Sequence, residues 1–382
     1  MNIRKLAVQL LVGISLTGLS IAGTLAEPIK IGVIAPLTGA GAQWGMAAAE
    51  GVKILAAETN ANGGLDIGGE KHQVEVIAYD DKYQAADAVA AYNRLLNIDG
   101  AKYVFLVASA STLALKQNLE GDAVLGLTAS VTDKAIDEGS NFMYRMLRPP
   151  VDYMPPFLDW VRDNVKERRV AIVNPNDETG WSQAQLTERL YKERGFEVLG
   201  IELYERAQQD FAPMVTKIQG LNVDIVELGS TSPATAGLIV RQARDLGYPG
   251  LFIKVGGTGA EAIVAGAGNE AAEGLVNVIF ADRQNEGFRN LATEYEKAVG
   301  QQPNEYIVNF YDAANVLVQA IQKAGDADDA AKVAAAINDV LPIKSVQGGD
   351  LTLRGAGNRE IMAPVYVGII KGGQVAVVAE VK

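Results

Sequence analysis

The chain contains one histidine, His72, and no cysteine, which excludes thiolate nucleophiles, disulfides, iron–sulfur ligation and zinc centres of the usual Cys/His kind together. A Ser-His-Asp triad would depend on His72, in a lysine-flanked polar stretch, and no G-x-S-x-G accompanies it. Asp80 and Asp81 are the available carboxylate pair for acid–base work. Adjacent residues of a strand point to opposite faces, so this pair suits a turn or a helix cap better. Gly39 and Gly41 follow an apolar run, but a dinucleotide fingerprint needs its third glycine at position 44, where Trp44 stands. No G-x-x-x-x-G-K-[ST] is present either, so neither a nucleotide cofactor nor a metal is expected.

What remains is hydroxyl and main-chain chemistry. Four segments are rich in Ser, Thr and Gly: 38–41, 108–112, 128–132 and 229–232. Hydroxyls and free N–H groups at helix starts receive carboxylates and other anions, although any one such residue also serves as an ordinary helix cap.

These segments follow short β-branched runs, and the runs alternate with longer helical patterns. Strands are expected at 29–35, 73–79, 102–107 and 123–128, with helices at 44–60, 84–98 and 111–119 between them. After Pro149-Pro150 and Pro155-Pro156 the alternation restarts: helix 154–165, strand 169–174, helix 180–194, strand 196–204, helix 211–219, strand 224–229, helix 233–246 and strand 251–255. Such alternation implies βαβ units and parallel sheets, so the fold class is α/β in two Rossmann-like units. No low-complexity linker separates them, and ligands of such sheets bind where the post-strand loops converge.

With 382 residues, 48% of them hydrophobic, the chain can bury two cores. Its 46 acidic against 34 basic residues, without basic clusters, argue against a nucleic-acid partner. Arg4 and Lys5, the apolar stretch Leu6–Ala22 and Thr24-Leu25-Ala26 read as a secretory signal cleaved after Ala26, leaving a soluble periplasmic protein.

The opening Ile29-Lys-Ile-Gly-Val-Ile-Ala-Pro-Leu-Thr-Gly, the helix ending Asn60-Ala-Asn-Gly-Gly-Leu, Tyr79-Asp80-Asp81, Gln242-Ala-Arg-Asp-Leu-Gly and Glu273-Gly274 resemble one family throughout residues 29–382. That family is the leucine/isoleucine/valine-binding proteins, the type I periplasmic solute-binding proteins of ABC importers. The resemblance implies two lobes, 27–147 with 281–356 and 148–280 with 357–382, joined by three hinge crossings near 147–152, 274–281 and 356–362. It implies a monomer that closes on a small molecule and delivers it to an inner-membrane ABC permease.

Carried over by position, the resemblance places Trp44 over the ligand, Ser109 on its carboxylate, and Ser130 and Thr132 one strand later. In the second lobe it points to Thr179, Trp181 and Thr231, and to Gly256-Gly257 where amino-acid binders place an acid for the ligand ammonium. Arg148, Lys254 and Tyr153 are expected near the cleft mouth. Without that acid, the expected ligand is a small carboxylate, an aromatic or branched organic acid. Branched-chain or other hydrophobic amino acids are the alternative. A sensor that docks on a membrane receptor and an exported enzyme using Asp80 and Asp81 are the competing function classes.

Overall fold

The computed structural model describes residues 26–257, 259–355 and 358–382; the expected leader lies outside them apart from Ala26, which begins the first strand. The first sheet contains β1 (Ala26–Ala35), β2 (Leu65–Ile67), β3 (Glu70–Asp80), β4 (Tyr103–Leu106), β5 (Leu125–Thr128) and β6 (Met143–Arg145), in the order β2-β3-β1-β4-β5-β6. All its pairings are parallel except β2 with β3. The second sheet is built on β7 (Arg169–Pro175), β8 (Glu197–Tyr204), β9 (Ile225–Glu227), β10 (Leu251–Lys254) and β11 (Val276–Ile279), with mutually parallel pairings. A small three-stranded sheet follows: β12 (Ile343–Lys344), β13 (Asp350–Leu353) and β14 (Ile361–Met362). The antiparallel pair β15 (Tyr366–Lys371) and β16 (Gln374–Glu380) extends the second sheet beyond β11.

The β-branched runs are buried on both faces, as strands covered by helices on either side must be; Ile31, Val33 and Ile34 are examples. Each sheet places its first strand between its second and third parallel strands, β1 between β3 and β4, and β7 between β8 and β9. At that reversal the flanking connections run to opposite faces, opening a crevice at the carboxyl ends of the strands. The helix Ala42–Ala61 starts tightly after β1 because Gly45 has no side chain: a β-carbon there would lie 2.1 Å from the Pro36 carbonyl oxygen. Among the described residues, no helix is long and apolar enough to cross a membrane.

The chain passes between the two large sheets over 146–149, 280–285 and 363–365. Two of these passages differ from expectation. Residues 276–279 form β11 rather than part of a crossing, and Ile361-Met362 pair with β13 before the chain leaves. The helix expected from 154 begins at Pro150 and takes in Pro155 and Pro156. Pro156 cannot donate to the carbonyl four residues back, and the Arg148 guanidinium donates to that carbonyl, on Asp152, at 3.4 Å.

Candidate functional site

The first wall of the crevice rises from the loops after β1, β3, β4 and β5. Ser109 is the first residue of the helix Ser109–Asp122, whose first-turn N–H groups have no acceptor within the helix. Its buried Oγ accepts from Val131 N at 3.3 Å, which ties the β5 loop to the helix start. Thr112 Oγ1 and Thr128 Oγ1 lie 2.7 Å apart, and Thr128 Oγ1 also accepts from Ser130 N at 2.9 Å. The Ser130 hydroxyl is buried without a partner.

Asp80 and Asp81 are a structural clip. Asp80 Oδ1 accepts from Leu37 N and Lys82 N, each at 2.9 Å, while Thr38 Oγ1 donates to Oδ2 at 2.5 Å. Burial opposes the ionised form of Asp80, but these bonds outweigh it and hold its pKa below the usual carboxylate range. Asp81 accepts from Tyr83 N at 2.9 Å and from Ser111 Oγ at 2.6 Å, and burial pushes its pKa up. The clip holds Lys82 and Tyr83 in the left-handed region, at φ 49° and 64°, a conformation side chains rarely adopt.

That loop sets Tyr83 against Trp44, with ring centroids 6.4 Å apart. Trp44 meets Tyr306 at 6.2 Å, Tyr306 stacks on Phe280 at 5.6 Å, and Phe280 meets Tyr153 edge-on at 5.6 Å. An aromatic run therefore extends from the cleft towards the crossings. Trp44 Nε1 is buried without a partner.

The second wall comes from the loops after β7, β9 and β10. Ser230 Oγ is buried without a partner, and Thr179 faces the Tyr83 hydroxyl. Gly257 has φ 65°, and a β-carbon on it would lie 2.9 Å from Trp44 Cζ2, so only glycine lets the two walls meet here. Behind it lie two buried charges. Glu227 Oε1 accepts from Gly229 N at 2.6 Å and from Val255 N at 3.1 Å, while Oε2 has no partner. Burial raises the Glu227 pKa to about 7 against those bonds and against Lys254. Lys254 donates to the carbonyls of Gly229, at 3.0 Å, and Gly256. Burial lowers its pKa to about 7, opposed by Glu227 and assisted by Arg206.

The walls are in contact. Glu178 Oε1 accepts from Thr132 Oγ1 at 3.2 Å and from Lys134 Nζ at 2.9 Å, and the Arg206 guanidinium lies 3.7 Å from the Tyr83 ring centroid. Trp44, Tyr83, Val107, Ser109, Ala129, Val131, Thr179, Ser230, Gly257 and Tyr306 enclose an inner cavity of about 20 Å³. That is space for one water-sized molecule, so a larger guest requires the walls to part. Outside lies a mouth of about 980 Å³ lined by both walls.

Of the residues singled out from sequence, Trp44, Ser109, Thr179 and Gly257 line the inner cavity, and Ser130 sits between two lining residues. Thr132 is turned to Glu178 instead, and its carbonyl accepts from Arg145 at 2.8 Å. Thr231 is buried beside the Tyr204 hydroxyl, and its neighbour Ser230 takes the lining position. Gly256 lies behind the wall, using its carbonyl on Lys254. Trp181 stands at the mouth, 45% exposed, with Nε1 donating to Asn176 at 2.9 Å. Arg148 is not at the mouth: Nη1 donates to the Val381 carbonyl at 2.7 Å, bracing the first crossing against the C-terminal strand. Tyr153 is likewise buried beneath the aromatic run, not exposed at the mouth. Tyr83 and Tyr306 are lining residues that sequence reasoning did not single out, although Asp80-Asp81 was the available signal for the first.

A family profile described as periplasmic binding protein matches residues 28–374. A leucine-, isoleucine-, valine-, threonine- and alanine-binding protein of Pseudomonas aeruginosa is 27% identical over 323 residues, covering 84% of this chain and 85% of the relative. Two solved structures are similar in fold. A branched-chain amino-acid transporter substrate-binding protein of Streptococcus pneumoniae, in complex with isoleucine, has a TM-score of 0.79 at 20% identity and covers 92% of this chain and 99% of its own. An ABC-transporter solute-binding protein of R. palustris, in complex with benzoate, has a TM-score of 0.80 at 18% identity, over 93% of this chain and 96% of its own. On the profile match and this two-sheet architecture, the chain belongs to the periplasmic binding protein family and has the type I fold of the leucine/isoleucine/valine-binding proteins.

Proposed function

We propose that this solute-binding protein captures a small organic acid, aromatic or branched and lacking an α-ammonium group, and presents it to an ABC permease in the inner membrane. In this reading it acts in the periplasm as a monomer, after cleavage behind Ala26. The first lobe, up to residue 146 and from 286 to 362, moves against the second, 150–279 with 366–382, about the three passages between them. The ligand carboxylate is received by Ser109 Oγ and the free N–H groups of the helix it starts, with Ser130 close by. Its apolar body lies against Trp44, Tyr83 and Tyr306.

The observation that carries the ligand class is the makeup of the inner cavity: no acidic residue is among its described lining, and the Lys254 amine lies 3.3 Å from where a β-carbon on Gly257 would stand. A ligand ammonium without an anionic partner would lose several kcal/mol to desolvation. A second reading, a branched-chain amino acid, draws on the unpartnered Oε2 of Glu227 and on the named specificity of the Pseudomonas relative.

A thermal-shift panel on the exported protein separates the two. A ligand at a hundredfold excess over its Kd stabilises the folded state by about 2.7 kcal/mol. Benzoate, phenylacetate or branched 2-oxo acids should raise Tm by several degrees, with leucine, isoleucine and valine well behind. Stabilisation by those three alone would reverse the assignment.

A further inference from the structure

Lys254 closes β10 and is wholly inaccessible, yet its hydrogen-bond partners are two uncharged main-chain carbonyls. An ammonium carries three N–H donors, so one is left over. The ammonium nitrogen lies directly behind Gly257. A β-carbon built there would lie 3.3 Å from Lys254 Nζ and 2.9 Å from Trp44 Cζ2. The ammonium, the bare backbone of Gly257 and the indole therefore converge on one point of the cavity wall. The neighbouring carboxylate, Glu227, has one oxygen engaged by two amides and lies close enough to support the cation through space. Ser230 adds an unpartnered, buried hydroxyl to the same wall. Ser109 and Gly257 line the same inner cavity of about 20 Å³ from its two walls.

We propose that Lys254 determines the specificity of this site: through the gap left by Gly257 its third N–H receives an acceptor oxygen close to the ligand carboxylate, as in a 2-oxo acid, and its charge rejects a 2-ammonio acid of the same skeleton. This rests on the carboxylate being held at Ser109. It adds a second anchoring point on the opposite wall, so that closure itself reads the substituent next to the carboxylate. A hydrogen bond to a charged donor that is made only on closure raises affinity without altering the first-wall contacts.

The test is calorimetry at pH 6, where Lys254 is mostly protonated, on the exported mature protein with two matched sets. One is 4-methyl-2-oxopentanoate, 4-methylpentanoate and L-leucine; the other is phenylpyruvate, 3-phenylpropionate and L-phenylalanine. In the set whose skeleton fits, the oxo acid should bind about ten- to a hundredfold tighter than the plain acid, with the amino acid weakest. In Lys254→Met the oxo acid should fall to the affinity of the plain acid, while the plain acid changes less than about threefold. Equal wild-type affinities for oxo and plain acids, a measurement that needs no variant, would overturn the role of Lys254 and leave the carboxylate reading standing. An oxo-to-plain ratio unchanged in Lys254→Met would do the same. Tightest binding by either amino acid would overturn both, and no binding by any of the four acids would overturn the role of Lys254 in reading a 2-oxo group.

Discussion

The two walls of the cleft are built on the same strand order but handle polarity in opposite ways. On the first wall the carboxylates and most hydroxyls have internal partners, Ser130 Oγ and Trp44 Nε1 excepted: Asp80 and Asp81 clip the Tyr83 loop, Thr112 meets Thr128, and Ser109 binds the β5 loop. On the second wall Glu227 Oε2 and Ser230 Oγ are buried without partners, and Glu227 and Lys254 have displaced proton affinities. A satisfied network is rigid and offers a prebuilt receptor, whereas unpartnered buried groups gain most when a guest supplies the missing bond. The contrast assigns affinity to the first wall, and closure with discrimination to the second.

The harshest way to break this division is to stop the walls meeting. In Gly257→Leu a side chain would occupy space now 2.9 Å from Trp44 and would force a positive φ on leucine, so ligand affinity should fall at least about a hundredfold by calorimetry while the first wall stays folded. Trp44→Ala removes a buried ring packed on Tyr83 and Tyr306. It should cost about 3–5 kcal/mol of stability in denaturant titration and weaken binding about ten- to a hundredfold as ring contacts are lost. Ser109→Ala removes a hydroxyl that receives a charged group, worth about 1.5–3 kcal/mol, so affinity should fall about ten- to a hundredfold, and Tm should fall as well because Val131 N loses its acceptor.

The second wall also makes a pH prediction. Glu227 binds its proton more tightly when folded, about 7 against an ordinary 4.5, so its contribution to stability falls as pH rises from 4.5 to 7. Lys254 binds its proton less tightly when folded, about 7 against 10.5, so its contribution rises with pH from 7 to 10.5. Glu227→Gln should therefore gain stability relative to the parent as pH is raised from 5 to 7, read from paired thermal melts; a difference independent of pH would remove the titration of Glu227 from the account. The smallest effect belongs to the mouth. Glu178→Ala deletes a partly exposed pair with Lys134 and a bond from Thr132, so affinity should change less than about fivefold, seen as a modestly faster dissociation.

The repeating strand–helix pattern was readable because buried parallel strands need continuous β-branched runs, and the post-strand loops followed from it. The runs marked the loops, but Ser109, Trp44 and Gly257 were legible only through the family resemblance carried over by position; Trp44 lies nine residues past the end of β1. Tyr306 was not, because it reaches the cavity from a helix 262 positions later in the chain than Trp44, and only the aromatic packing reveals it. Arg148 was misplaced because its charge suggested a ligand contact, whereas Pro156 frees a carbonyl that the guanidinium takes up locally. The crossings were offset because β11 and β14 have four and two residues, too short for a periodicity to show. Lys254, expected near the cleft mouth, is instead wholly buried behind Gly257, because it closes β10 inside the second sheet and turns its ammonium onto two main-chain carbonyls.

The central claim is that a small acid is enclosed between two moving walls. Small-angle X-ray scattering compares the protein stripped of ligand by dilution and dialysis with the same protein saturated by whichever acid gives the largest thermal shift. The walls must part to admit a guest larger than water, so the stripped protein should have the larger radius of gyration, and saturation should reduce it to the value of the closed arrangement described above. An identical radius in both states, with binding saturated by calorimetry, would contradict enclosure by closure.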